Sequence, residues 1–139
     1  ADLLFKYRGF SLIAEFIMTK AFISDDITTR NDRYGNPEDL TTNFRGYSAE
    51  EYVRTQLMMG SGINLQAGYL FKNNYEIAGR FTTTNYESIT NRDPEKQYTL
   101  GFNKFVVGHK LKVQSDISYT SIDGNEDNIT FRLGFDIHF

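Results

Sequence analysis

Apolar and polar positions alternate along most of this chain. Near its end Ile129, Phe131, Leu133, Phe135, Ile137 and Phe139 fall on one face. Asn128, Thr130, Arg132, Gly134, Asp136 and His138 fall on the other. Strict alternation over that length excludes a helical face, because helical spacing would scatter the apolar residues around the axis. The same period of two recurs upstream. Leu111, Val113, Ile117 and Tyr119 oppose Lys112, Gln114, Asp116 and Ser118. Tyr98, Leu100 and Phe102 oppose Gln97, Thr99, Gly101 and Asn103. Tyr75, Ile77 and Phe81 oppose Glu76, Arg80 and Thr82, and Ile63, Leu65, Ala67, Tyr69 and Phe71 oppose Asn64, Gln66 and Gly68. At the start Leu3, Phe5 and Tyr7 oppose Lys6 and Arg8. From Ser11 to Phe22 the pattern is looser: Leu12, Ala14, Phe16 and Met18 share one side, while Ile13 and Ile17 join Glu15 and Thr19 on the other.

The pattern predicts about seven strands, most about ten residues long, enough for a tilted strand to cross a bilayer. Tight connections are expected around Gly9, at Lys72-Asn73-Asn74 and at Val107-Gly108-His109. Longer polar ones are expected from Ser24 to Tyr52, Asn85 to Glu95 and Ser121 to Asp127. Short and long connections alternate, which gathers the turns at one end of the sheet and the loops at the other, as in outer-membrane barrels. Residues Tyr52 to Met59 read either as an eighth strand, broken off by Gly60-Ser61-Gly62, or as a lead into the strand that follows; the segregation of turns and loops favours the second. Seven is odd, whereas bacterial single-chain barrels have even counts. The expectation is therefore an all-β fold: one antiparallel transmembrane β-barrel domain, with residues 1–139 forming the C-terminal part of a larger barrel.

Composition agrees with a two-faced sheet. The 139 residues include 12 Phe and 9 Tyr but only 2 Pro, and no Cys. The mean hydropathy is −0.47, which an alternating chain reaches while still presenting a wholly apolar face. The runs of consecutive apolar residues are far below the ~20 that a transmembrane helix needs. No signal peptide is read at the start, and a chain opening on Ala1 reads as a mature or truncated piece. With 15 Lys+Arg against 18 Asp+Glu, the net charge of −3 argues against a nucleic-acid partner. Without cysteine there is no disulfide framework, thiolate zinc site or cysteine nucleophile.

No catalytic constellation emerges, and no enzyme activity, cofactor or metal is expected. His109 and His138 have no metal-ligand spacing. Gly60-Ser61-Gly62 precedes a strand rather than a helix, unlike a nucleophile elbow. Asp123-Gly124-Asn125-Glu126-Asp127 has the composition of a calcium loop without its spaced ligands. Candidate chemistry lies on the polar face. If the apolar face meets lipid, Lys6, Arg8, Glu15, Glu76, Arg80, Lys112, Asp116, Arg132 and Asp136 point into a lumen. Arg80 and Arg132 fall near mid-height, where positive side chains would concentrate anions. The terminal strand, with Phe131, Leu133, Phe135, Ile137 and Phe139, reads as an assembly signal for the outer-membrane insertion machinery.

Four stretches carry a family likeness: Asp2 to Ser11, Gly62 to Asn74, Arg92 to Gly101 and Gly108 to Gln114. Together they resemble the C-terminal portion of the phosphate-selective porin O and P family. That resemblance implies a 16-stranded outer-membrane barrel, commonly trimeric, that passes small anions by passive diffusion. The family's constriction loop has no counterpart in this chain, so no phosphate site is carried onto any residue here. The function expected is a Gram-negative outer-membrane porin, an integral transmembrane transport protein or ion channel. Its solutes would be small and hydrophilic, with anions such as phosphate among them. Expected partners are membrane lipid, lipopolysaccharide and the assembly machinery, in a homotrimer or a larger outer-membrane complex. The alternatives are a docking barrel that anchors a partner complex through the loop from Ser24 to Tyr52, a soluble lipid-binding barrel, and an outer-membrane enzyme.

Overall fold

The computed structural model describes residues 1–22, 26, 28–39, 51, 57–88, 92–106 and 111–137. Seven strands form one antiparallel sheet, and two short strands form a separate hairpin. The strands are β1 (Asp2–Tyr7), β2 (Phe10–Thr19), β3 (Thr29–Asn31), β4 (Pro37–Asp39), β5 (Gly60–Leu70), β6 (Tyr75–Tyr86), β7 (Glu95–Phe105), β8 (Leu111–Ile122) and β9 (Asn128–Ile137). The large sheet runs β1-β2-β5-β6-β7-β8-β9. It is an open sheet, with β1 and β9 at its edges.

The described residues divide into two compact units: Ala1–Ile17, Ser61–Asn85 and Asp93–Phe139 form the first, and Met18–Gly60 with Tyr86–Arg92 the second. In the first, the register places the alternating residues as the sequence predicts. Ile77 faces Phe102, Leu100 faces Ile117, and Ile117 faces Phe131, all on one side. Arg80 faces Thr99, Thr99 faces Ser118, and Asp116 faces Arg132 on the other. A period of two thus becomes two chemically distinct faces.

Turn chemistry explains the ends. Between β1 and β2, Arg8 and Gly9 both have positive φ, 44° and 87°. That is the two-residue turn whose twist matches flanking strands. A Cβ at Gly9 would lie 2.6 Å from the Leu70 carbonyl oxygen, while the Leu70 amide donates to the Gly9 carbonyl at 2.8 Å. Glycine is therefore required here twice, by its dihedral and by its neighbour. Between β5 and β6, the Asn74 amide donates to Phe71 O at 3.0 Å and Asn74 has φ 63°. This is a three-residue loop, Lys72-Asn73-Asn74, closed by a left-handed residue. The predicted turn at Val107-Gly108-His109 lies outside the described residues, but the Val106 amide donates to Leu111 O at its base.

The second unit contains a feature the alternation misses. Within the long loop, β3 and β4 pair as a hairpin closed by Asp32. The Asp32 carboxylate accepts from the Tyr34 and Asn36 amides and from Asn36 Nδ2. These bonds, led by the Asn36 side chain, hold its pKa below the ordinary aspartate value. Arg30 grips Glu38 through Nε and a terminal nitrogen, at 3.0 and 2.7 Å. Of the segment 52–59, residues 52–56 lie outside the description; Leu57 to Met59 are not in a strand, and β5 begins at Gly60.

Among the described residues, the only large side chains buried outright are Met59 and Ser118. Among the described residues, large side chains on the apolar face of the sheet are exposed: Leu100 is 55% exposed, Leu133 59% and Phe131 69%. The polar face is more enclosed, with Ser118 only 1% exposed. This inverts the burial of a water-soluble sheet, whose apolar side is hidden.

Candidate functional site

The polar face gathers eight of the nine predicted lumen residues: Lys6, Glu15, Glu76, Arg80, Lys112, Asp116, Arg132 and Asp136. Arg8 is the exception and corrects the expectation. It belongs to the β1–β2 turn rather than to the strand, and its guanidinium sits 5.2 Å from the Tyr7 ring centroid. The predicted His109 and the terminal His138 and Phe139 lie outside the described residues. Phe131, Leu133, Phe135 and Ile137 share the apolar face of edge strand β9.

Cross-strand pairing engages several of the charges. Arg132 Nε donates to Asp116 Oδ1 at 2.9 Å, and its terminal nitrogen donates to Ser118 Oγ at 3.1 Å. Ser118 in turn lies 2.8 Å from the Thr99 hydroxyl. Asn64 donates to Glu15 at 2.6 Å, and Asn103 donates to Glu76 at 2.7 Å. Lys112 stands opposite Asp136 in the register and lies 5.3 Å from the Phe105 ring. Single-strand patterning put Asn64, Asn103, Thr99 and Ser118 on the polar face but did not say which charge each one meets. Only the register between strands reveals them as partners.

Arg80 differs from Arg132. Its Nε is buried without a hydrogen-bond partner. It rims a polar depression of about 250 Å³ together with Thr99, Asn103, Gln114 and Asp116. Ala78 and Gly101 lie side by side at its base, in the row that leads to Asp116 and Arg132. The two arginines therefore sit in adjacent rows, roughly 7 Å apart along the strands and three strand spacings, about 14 Å, across.

The opposite face carries an apolar depression of about 520 Å³, lined by Leu12, Leu65, Phe81, Leu100 and Ile117. Aromatic rings flank it. Phe81, Tyr98 and Tyr119 form one row, with centroids 5.0 and 6.3 Å apart. Toward the turns Tyr75 packs on Phe102 at 5.4 Å, and Tyr69 packs on Phe71 at 4.9 Å. At the loop end Tyr119 Oη donates to Asp127, and the Asp127 carboxyl is held below its ordinary pKa by that bond and by Ser121. Among the described residues, no group of His, Asp and Glu is placed to hold a metal ion. No protein-family model, curated protein or solved structure matches this chain.

Proposed function

We propose that the sheet is part of the wall of an outer-membrane β-barrel pore. Its apolar face lies against lipid, and its polar face lines a water-filled passage for small hydrophilic solutes. No bond is made or broken; selection is by width and by the field of the lumen charges.

The observation that carries this reading is the bounded apolar band. On β7 the run Tyr98, Leu100, Phe102 is closed at both ends by Lys96 and Lys104, eight residues apart. At ~3.3 Å per residue that spans roughly 26 Å, or about 20 Å of height at a tilt of ~40°. An outer-membrane barrel presents an apolar band about 25 Å tall with aromatic girdles at its edges. Long lysine stems extend the band at each border by reaching toward water. Aromatic rows near both ends, with aliphatic residues between, fit the same arrangement. The charged polar face is costly in a dry interior but not in a hydrated lumen.

The test is fractionation followed by conductance. The full-length protein should partition with outer membranes, require detergent, and form ion-conducting pores in planar bilayers. A protein that stays in solution without detergent would instead use the apolar depression to hold a lipid, which refutes the pore. Membrane insertion without conductance would favour the docking reading. The braced β3–β4 hairpin supports that alternative, since it holds Tyr34, 86% exposed, at its tip.

A further inference from the structure

The strands of the first unit are electrically polarised along their length. Among the described residues near the turns are Lys6, Arg8, Lys72, Lys104 and Lys112, five cations, against Glu76 and Asp136. At the other end, residues 93–96 and 123–127 hold Asp93, Glu95, Asp123, Glu126 and Asp127 against Lys96 alone. The topology makes the first group one rim. The Gly9 carbonyl is bonded to the Leu70 amide, and the Asn74 carbonyl to the Phe105 amide, so successive turns lie side by side. Glu76 is occupied by Asn103, and Asp136 faces Lys112.

Aromatic rings fix where the cations sit. Lys104 Nζ lies 3.6 Å from the Tyr75 ring centroid and donates to the Asn73 carbonyl at 2.9 Å. Arg8 lies over Tyr7, whereas Lys6 and Lys112 stand on the polar face. The Tyr75 and Tyr7 rings rest at the border of the apolar band, so Lys104 and Arg8 stand just beyond it, at the depth of lipid headgroups. Lys72, in the turn between β5 and β6, is exposed. A row of cations at that depth is complementary to phosphate-bearing anionic lipid, and the acidic loop end is not.

Resting on the membrane reading above, we propose that the turn end of the sheet is a contact for anionic phospholipid headgroups, which enrich around this rim and not around the loop end. Each rim cation near an anionic surface is worth up to roughly fivefold in association. The attraction is screened as salt rises.

The full-length protein carries a fluorophore on a cysteine at Asn73 or at Asn125 and is reconstituted in vesicles of 70% phosphatidylcholine and 30% phosphatidylglycerol. One or the other lipid carries a nitroxide quencher. The proposal expects phosphatidylglycerol to quench the Asn73 label several-fold more than phosphatidylcholine does, and the Asn125 label equally with it. The preference should fall toward unity in the Arg8→Gln/Lys72→Gln/Lys104→Gln variant and at 0.5 M salt. The Lys72→Gln variant, which leaves every ring contact in place, should show a partial loss. Lys96→Gln should leave the preference intact. Equal quenching by both lipids at Asn73, or a preference that survives the triple variant, overturns the proposal while leaving the membrane reading standing. No quenching by either lipid at either label overturns the membrane reading itself.

Discussion

Leu100→Arg separates a lipid-facing sheet from a water-facing one. Leu100 lies four residues from Lys96 and four from Lys104, so it sits about 10 Å in height from either border, near the bilayer midplane. Its cross-strand neighbours are Gly79 and Ile117. A Cβ built at Gly79 meets nothing within 4 Å, so the longer side chain has room and adds no steric cost. In water, replacing a residue already 55% exposed should change stability by no more than about 0.5 kcal/mol. In a bilayer, arginine at the midplane costs roughly 2–4 kcal/mol. That difference is about 30-fold to nearly 1,000-fold in the folding equilibrium. Guanidinium titration of the full-length protein in phosphatidylcholine vesicles measures it. Leu133→Arg on β9 should behave alike, whereas Gln114→Arg on the polar face should stay within about 0.5 kcal/mol. A loss below about 0.5 kcal/mol for Leu100→Arg in vesicles would refute the lipid-facing assignment.

Gly9→Ala should destabilise the sheet by at least 1–2 kcal/mol from the left-handed dihedral alone, with the contact to Leu70 O adding to it; denaturant midpoints measure the loss. Arg80→Glu should move ion selectivity toward cations at low salt, and the shift should shrink toward 1 M, where screening falls to about 3 Å. Arg132→Gln should instead lower stability by leaving Asp116 without its ion partner, with a smaller change in reversal potential. A cysteine at Asn36 should label on intact cells and one at Asn73 should not; the reverse result would invert the topology. Because Asp32 has a depressed pKa in the folded hairpin, its contribution is present above the ordinary aspartate range and is lost as pH falls through its folded value. Amide exchange at Tyr34 and Asn36 should therefore accelerate below about pH 4.

Alternation made the large sheet legible because the period of two depends only on backbone geometry. Every face assignment from Leu3 to Ile137 that rests on a strand follows from it. The positive φ at Gly9 and Asn74 was equally readable, since few residues accept that conformation. The β3–β4 hairpin was not, because it is held by Asp32 and the Arg30–Glu38 pair rather than by apolar periodicity. Arg8 was misplaced because alternation continues past the last paired residue of β1, where only the turn decides. The polar-face network was hidden for a different reason: which of Asn64, Asn103 or Ser118 meets which charge depends on register between strands far apart in sequence.

The two free edges have a consequence for the order of events in assembly. Along an edge strand, alternate residues direct both backbone groups away from the sheet. The ten residues of β9 therefore present about five amides and five carbonyls without a strand to receive them. In hydrocarbon each such group costs several kcal/mol, so a bare edge would oppose entry by tens of kcal/mol. On the membrane reading, β1 and β9 would have to acquire neighbouring strands before or during crossing. In water the same edges invite pairing with any extended chain, so this sequence is exposed to aggregation for as long as they stay unpaired.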